Sequence, residues 1–455
     1  MKYTKKQTAS KMQQVESTYQ KYRPGMNSSV IARWTFIIFI FVSSVGLIPF
    51  PDKSPVAASL IDVHGGNTAR QVVYVSIFFL LSWLSIYKLG VVRTAKIIPP
   101  LLTATIFWCV LSCLWSPVPM VSFRRIGLQF VFVYICCAVT RLLGEEDTIK
   151  VYAVTLFVLV FVSILAVPIV PNAIHRVGEI GGSDLIGCWK GIFGHKNIAG
   201  ECAALLVISS YFYCLKTRKK FWFFSVVMSS FFLIMTFSKT SIFLTAFVLL
   251  LSPFYLIIRK YKIWKVIFIT IAVLLIVLLI YGSILYYDFF IYKLSDPKAF
   301  TGRAVVWKVL VTMIQNKPII GYGYGSVFDV GCDSAYLNYG PLWGGTLAHG
   351  HNIYLQLWAS IGIVGLVLAV VSVFLLPMGK LLVSADVSQY NRPLFLSFIV
   401  FSLLHNLLES SVLFQTSAQW VAVVISVSFA CSSESYDCHE NTNHSVSLNI
   451  VNAIR

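Results

Sequence analysis

The sequence predicts an all-α polytopic integral membrane protein, with about twelve transmembrane helices and one large outer loop between helices nine and ten. Three observations predict it. The 455 residues are 57% hydrophobic and 12% charged, whereas soluble domains carry roughly 25% charged residues. A water-soluble fold of this length has no interior large enough for so much apolar side chain. The apolar residues also fall in separate runs near the ~20 residues a bilayer requires. Finally, basic residues crowd several short alternate connections between the runs, as the positive-inside rule describes.

The elements follow in order. Residues 1–30 form a polar, basic tail, disordered or interfacial. The run after it resembles an uncleaved anchor more than a signal peptide. Nine runs occupy 31–281, at 31–50, 72–87, 97–115, 126–140, 151–170, 198–215, 221–237, 242–258 and 263–281. Residues 282–351 make the large loop, too long for a simple connector. Within it, Val305, Val306, Leu310, Met313 and Ile314 fall on one side of a helix over 303–315, with Thr301 as N-cap and Pro318 beyond the end. That pattern predicts an amphipathic helix at the outer membrane–water boundary. Gly321, Gly323 and Gly325 alternate just after it. Without a strand–turn–helix context they point to tight backbone packing rather than a phosphate cradle. Three runs lie in 352–431, at 352–376, 394–407 and 411–431, the last two interrupted by His405 and Glu409. Residues 432–455 are a polar tail. There is no inverted internal repeat of the transporter kind.

The 36 cations exceed the 18 acids, for a net charge of +18. In a soluble protein that surplus suggests nucleic acid, but in a membrane protein its location decides. With the N-terminus inside, 22 cations face inward, 13 face outward and Arg33 lies within the first run. Inner loops 88–96, 216–220 and 259–265 are clearly basic, so both termini are expected in the cytoplasm. The outer cations oppose the rule, and six of the eight histidines share their side. Long loops escape the rule, which is one explanation; an anionic ligand is the other. Most of the ten cysteines lie inside runs and no CxxC metal pattern occurs. Cys188 and Cys332 both fall in outer loops, where an oxidising compartment would let them pair.

Several outer segments combine residues suited to chemistry. His349-Gly-His351-Asn352 precedes the tenth run. An imidazole at that helix end can accept a proton at physiological pH, and two histidines two apart could instead ligate a metal. Arg303 opens the loop helix, where its planar fork suits either a phosphate or a lipid headgroup. Lys190, His195, Lys196 and Asn197 lie among Trp189, Ile192 and Phe193, a mixture that fits a pocket wall better than a solvated loop. Ser238-Lys239-Thr240-Ser241 is an external turn, and Arg124-Arg125 come just before the fourth run. Together Arg124, Arg125, Lys190, Lys196, Lys239 and Arg303 are expected to form one basic outer cavity for a lipid-linked diphosphate. Of the acids, only Glu201 and Glu409 touch span ends and none is central, unlike ion-coupled carriers.

At this point the residues resemble the O-antigen ligase and exopolysaccharide polymerase superfamily, closest to its exopolysaccharide-production branch. The features are Leu114-Trp-Ser-Pro with Phe123-Arg-Arg, Gly191-Ile-Phe-Gly-His-Lys-Asn197, Ser238-Lys-Thr-Ser, Thr301-Gly-Arg with Trp307, Gly321-Tyr-Gly-Tyr-Gly325, and His351-Asn352 with Gly362, in that order over 115–409. The resemblance implies a bacterial inner-membrane glycosyltransferase without cofactor or metal, its active site on the periplasmic side. Its donor would be a polyprenyl-diphosphate-linked oligosaccharide. The acceptor would be a growing glycan, lipid A-core or a protein, with polymerisation of repeat units favoured. Membrane lipids and other polysaccharide-export components are implied partners, and nucleic acid is not. Family members often carry Arg where this chain has Lys190, which loses the bidentate fork.

These expectations assign His351 as the base for an acceptor hydroxyl. Arg303, Lys196, Lys190, Lys239, Arg124 and Arg125 bind the diphosphate, with His195, Asn197, Asn352, His349 and Glu409 in support. A single displacement inverts the anomeric centre. The rival class is a lipid-linked glycan flippase or transporter.

Overall fold

The computed structural model describes residues 26–51, 67–177, 179, 185–260, 303–341, 347–383, 387–388, 390–414 and 416–431. The predicted run at 263–281, the N-cap Thr301, residues 1–25 of the N-terminal tail and the tail at 432–455 lie outside them. Among the described residues the regular elements are helices, and one isolated antiparallel bridge pairs Ile174 with Trp189. The helices are α1 Met26–Ser44, α2 Thr68–Leu89, α3 Val91–Ala95, α4 Pro100–Leu111, α5 Pro119–Ala166, α6 Lys196–Thr217 and α7 Lys220–Met235. Then come α8 Lys239–Lys260, α9 Arg303–Asn316, α10 Ile353–Val370, α11 Leu376–Val383, α12 Arg392–His405 and α13 Ala418–Cys431. By length and composition, four described helical stretches can cross a membrane: Thr68–Leu89, Pro119–Ala166, Lys196–Thr217 and Ile353–Val383. Shorter apolar helices of 10–17 residues accompany them.

Two sequence runs, 126–140 and 151–170, fall largely on the single 48-residue helix α5. A straight helix of that length would span about 72 Å, more than twice a ~30 Å hydrocarbon layer. Gly144 interrupts it at φ 75°, a backbone region that glycine enters without steric cost. Glu145, Glu146 and Asp147 follow that break and meet Asn391, Lys216 and Arg33 respectively. Those partners are residues the sequence assigns to one face or, for Arg33, to the first run, so they share one end of the bundle.

Helix α13 is buried along its whole length. Its small residues, among them Ala418, Ala422, Ser426 and Ala430, permit the close helix contacts typical of membrane bundles. Two pairs of buried hydroxyls meet across helices, Thr140–Ser428 at 2.7 Å and Thr105–Ser372 at 2.9 Å.

The loop helix differs from its expected setting. The apolar side of α9 does not face a lipid boundary: Val306, Leu310, Met313 and Ile314 pack with Tyr322, Phe328 and Tyr336 in a second core. The alternating glycines explain how that unit docks on α10. Tyr322 N–H and Gly323 N–H donate to Ala359 O and Ser360 O at 2.9 and 2.7 Å, and Ile363 N–H donates to Pro318 O at 2.9 Å. Gly362 breaks α10 at φ 69°, and a Cβ there would lie 1.9 Å from Ile319 O. The broken helix therefore offers its unpaired groups to the strip.

Candidate functional site

The site forms where the start of α6, the start of α8, the start of α9, the approach to α10 and the turn after α12 meet. Glu409 is its hub. The turn is closed by Leu408 and Glu409 N–H donating to His405 O, each at 3.1 Å. It is tied to α10 by Ile353 N–H donating to Asn406 O at 3.1 Å. Asn352 caps α10, accepting from Leu355 N–H at 3.0 Å and donating to Leu407 O at 3.1 Å.

Glu409 is buried, its side chain 10% exposed. Its Oε1 accepts from Arg303 Nη2 at 2.8 Å and from Asn197 Nδ2 at 2.7 Å. Arg303 Nη1 also donates to Leu408 O. The other carboxylate oxygen, Oε2, lies 3.4 Å from His351 Nδ1, an ion-pair distance too long for a well-made hydrogen bond. Burial pushes the Glu409 carboxyl upward, but His351, Arg303 and His405 outweigh it and hold it well below the usual carboxylate range. The group is an anion at any working pH.

His351 adopts φ 53°, sparsely populated by non-glycine residues. Its neighbour Gly350 is held from both sides: Trp307 Nε1 donates to Gly350 O at 3.0 Å, and Gly350 N–H donates to Gln356 Oε1 at 2.9 Å. The rings of His349 and His351 stand 4.3 Å apart. Behind them, His405 meets Ser241 at 3.2 Å, and Ser238 donates to Ser241 at 3.0 Å. The Ser-Lys-Thr-Ser turn thus contributes its serines to the same end of the bundle, while Lys239 is exposed.

His349, His351 and Glu409 could also hold a metal, since each offers a ligand atom within 4.8 Å of the others. The Arg303 guanidinium on Glu409 opposes this, because a divalent cation would have to bind next to a fixed positive charge.

The six cations expected in one cavity are distributed differently. Lys190 is fully buried, its Nζ donating to Glu179 Oε1 at 2.9 Å. Glu179 Oε2 meets His175 Nδ1 at 2.6 Å, and His175 Nε2 accepts from Lys196 N–H at 3.1 Å. That bond assigns the proton to Nδ1. Burial raises the Glu179 carboxyl, yet Lys190 and His175 bring it below its ordinary value. The network fixes the loop leading into α6, whose N-cap is His195, accepting from Asn197 N–H at 3.1 Å. Lys196 Nζ reaches Cys188 Sγ at 3.4 Å; Cys188 is buried, Cys332 is exposed, and the two are not bridged. Arg125 donates to the carbonyls of Gly325 and Phe328 at 2.6 and 2.7 Å, to Asp329 O, and to Asp329 Oδ2 at 2.9 Å. A cavity of about 120 Å³ is lined by Arg124 and Arg125 but by none of Lys190, Lys196, Lys239 or Arg303. Lys190, Lys196 and Arg303 are held instead in separate contacts at other helix ends, and Lys239 is exposed.

Sequence reasoning missed the ion partners Glu179 and Asp329, and the role of Glu201. Glu201 is buried on α6 and accepts from Ser411 Oγ, Ser417 Oγ and Gln419 N–H at 2.8, 2.9 and 3.0 Å. It therefore clamps the segment that follows Glu409. An acid inside an otherwise apolar run was the available signal.

Residues 223–370 match the family model described as O-antigen ligase. The match supports placing the chain in the O-antigen ligase superfamily. It runs from within α7 to the end of α10, including Arg303, His349, His351 and Asn352, but neither Asn197 nor Glu409. No curated protein matches the chain.

Proposed function

We propose that this protein transfers a glycan from a polyprenyl-diphosphate donor to an acceptor sugar hydroxyl at the periplasmic face of a bacterial inner membrane, most plainly as a polymerase of repeat units. The O-antigen ligase match supports glycosyl transfer of the ligase or polymerase type in general. The observation that carries the finer reading is the convergence of His351, Glu409 and Arg303 at one end of an apolar helical bundle.

In the proposed reaction, Glu409 Oε2 faces Nδ1 of His351 and leaves Nε2 to take the proton. The acceptor O–H breaks as its oxygen attacks the anomeric carbon. The bond from that carbon to the diphosphate breaks with inversion, and the diphosphate leaves as an anion. Glu409 stabilises the imidazolium that forms, as an acid does behind a catalytic histidine. Arg303 has two guanidinium nitrogens fixed by Glu409 and Leu408 and retains further N–H donors for the leaving phosphate. Lys196 and Lys239 supply charge nearby. Lys190, buried on Glu179, positions the loop in this reading instead of touching the donor.

His351→Ala tests the reading. At normal expression it abolishes chain extension and leaves single lipid-linked repeat units on the outer face. Undiminished polymer overturns the base assignment, and units retained on the inner face favour a flippase. Intact polymer with bare lipid A-core marks a ligase, and loss of protein-linked glycan marks transfer to protein.

A further inference from the structure

We infer that Trp307 and Gln356 are positioning residues for the proposed base, acting on His351 through the Gly350 peptide. One face of α9 then places both the leaving-group ligand and the base. The assignment rests on the glycosyl-transfer reading and deepens it at the same site.

His351 lies between two fixed pieces of chain. On its C-terminal side, Asn352 caps α10 and donates to Leu407 O at 3.1 Å, and Ile353 N–H donates to Asn406 O at 3.1 Å. On its N-terminal side Gly350 is buried and lies outside any helix or strand. A Cβ on Gly350 would meet Leu310 Cδ1 at 2.9 Å and Phe328 at 3.1 Å, so this peptide is pressed against the second core. Its buried N–H and C=O need partners, and side chains from two elements provide them. Trp307 Nε1 on α9 donates to Gly350 O at 3.0 Å, and Gln356 Oε1 on α10 accepts from Gly350 N–H at 2.9 Å. The strip is fastened once more upstream, where Asp329 N–H donates to Leu347 O at 2.9 Å.

These bonds bear directly on the imidazole. Gly350 O shares a rigid peptide plane with His351 N, and rotation of that plane about the His351 N–Cα bond is φ. Trp307 holds the plane, and so holds His351 at φ 53°, a value that a non-glycine residue keeps only where its surroundings impose it. Gln356 holds the plane before it. Released toward negative φ, the chain would re-aim the ring. Nδ1 stands 3.4 Å from Glu409 Oε2, already long for a hydrogen bond, so further displacement breaks the pairing. A misplacement of ~1 Å can cost about hundredfold in rate.

Helix α9 links this to the leaving group. Arg303 and Trp307 are one turn apart and share a helix face. Arg303 Nη2 reaches Glu409 Oε1 at 2.8 Å while Trp307 reaches Gly350 O. The guanidinium and the imidazole are thereby held at one separation by a common support.

The test measures turnover by the full-length protein in vesicles, with native lipid-linked repeat units extracted from a strain lacking it. Trp307→Phe keeps a ring in the second core and removes the Nε1–H. Gln356→Met keeps the length and removes the acceptor. In each, kcat should fall about ten- to hundredfold, with KM for the donor within about twofold. Gln356→Glu keeps an acceptor oxygen and should stay within about threefold of wild type. Glutamate and methionine fill similar space, so that rescue separates positioning from packing. The assignment is overturned if either folded variant keeps kcat within about twofold, if the loss lies in KM, or if Gln356→Glu is as slow as Gln356→Met. Where Trp307→Phe melts early, the two Gln356 variants decide. His351→Ala is measured beside them. If it is inactive while Trp307→Phe and Gln356→Met stay fast, only the positioning roles fall; if it is active, the base assignment falls and the positioning roles with it.

Discussion

Glu409→Gln removes a charge while keeping the shape of the side chain, and its consequences can be worked from the site. The carboxylate accepts two short hydrogen bonds on Oε1 and faces His351 Nδ1 on Oε2. A glutamine oxygen can still accept from Arg303 and Asn197, but its amide then presents donors to the Nδ1 donor of His351. Arg303, 18% exposed, is left without its counter-charge. Breaking a fully buried pair costs ~3–5 kcal/mol, and partial solvation here reduces that to about 2–3 kcal/mol. Loss of the acid behind a catalytic histidine costs about 10⁴ in turnover where the contact is close. At 3.4 Å the expected loss is ~10²–10⁴, about 3–5.5 kcal/mol in the barrier. The assay is turnover of lipid-linked repeat units by reconstituted protein, with the melting midpoint measured beside it. A variant that melts lower yet turns over within threefold of wild type refutes Glu409 as the partner of His351. The folded carboxyl sits below its unfolded value. Its stabilisation is therefore complete above the unfolded value, about pH 4.3, and fades only as pH falls toward the folded one. A rate limb near neutral pH belongs to another group.

Arg303→Lys keeps a cation but cannot reach Leu408 O and Glu409 Oε1 together; turnover should fall at least tenfold, measured in the same assay. Excess chelator should leave turnover unchanged, and a rise on adding a divalent cation would revive His349, His351 and Glu409 as ligands. Glu179→Ala strands the buried Lys190 charge and should cost ~3–5 kcal/mol, whereas Glu179→Gln with Lys190→Met should recover much of it, read as melting midpoints. Gly362→Ala drives a Cβ to 1.9 Å from Ile319 O at a positive φ, so yield of folded protein should collapse.

Much of the candidate site was legible before the fold. His351, Arg303, Asn197, Asn352 and Glu409 were all selectable because polar groups at the ends of apolar runs are costly without a use. Gly321, Gly323 and Gly325 were legible as close-packing positions, and their Cβ directions do meet Ser360, Ser116 and Arg125. Lys190 and Arg125 were misjudged for one reason. A sequence displays a cation but not the acid or carbonyls that face it, and Glu179 and Asp329 are their partners only through the packing.

By itself, the sequence determined the solvent in which this chain folds and the segregation of its charges. Both follow from composition and local periodicity, which belong to the chain without reference to contacts. Only the tertiary structure decided which charges remain to meet a ligand. Glu409 collects residues from three other segments, with Arg303 and Asn197 106 and 212 positions away. Glu179 removes Lys190 from the surface. Such pairings are long-range contacts of buried groups, whose energies depend on distance and desolvation and not on order along the chain.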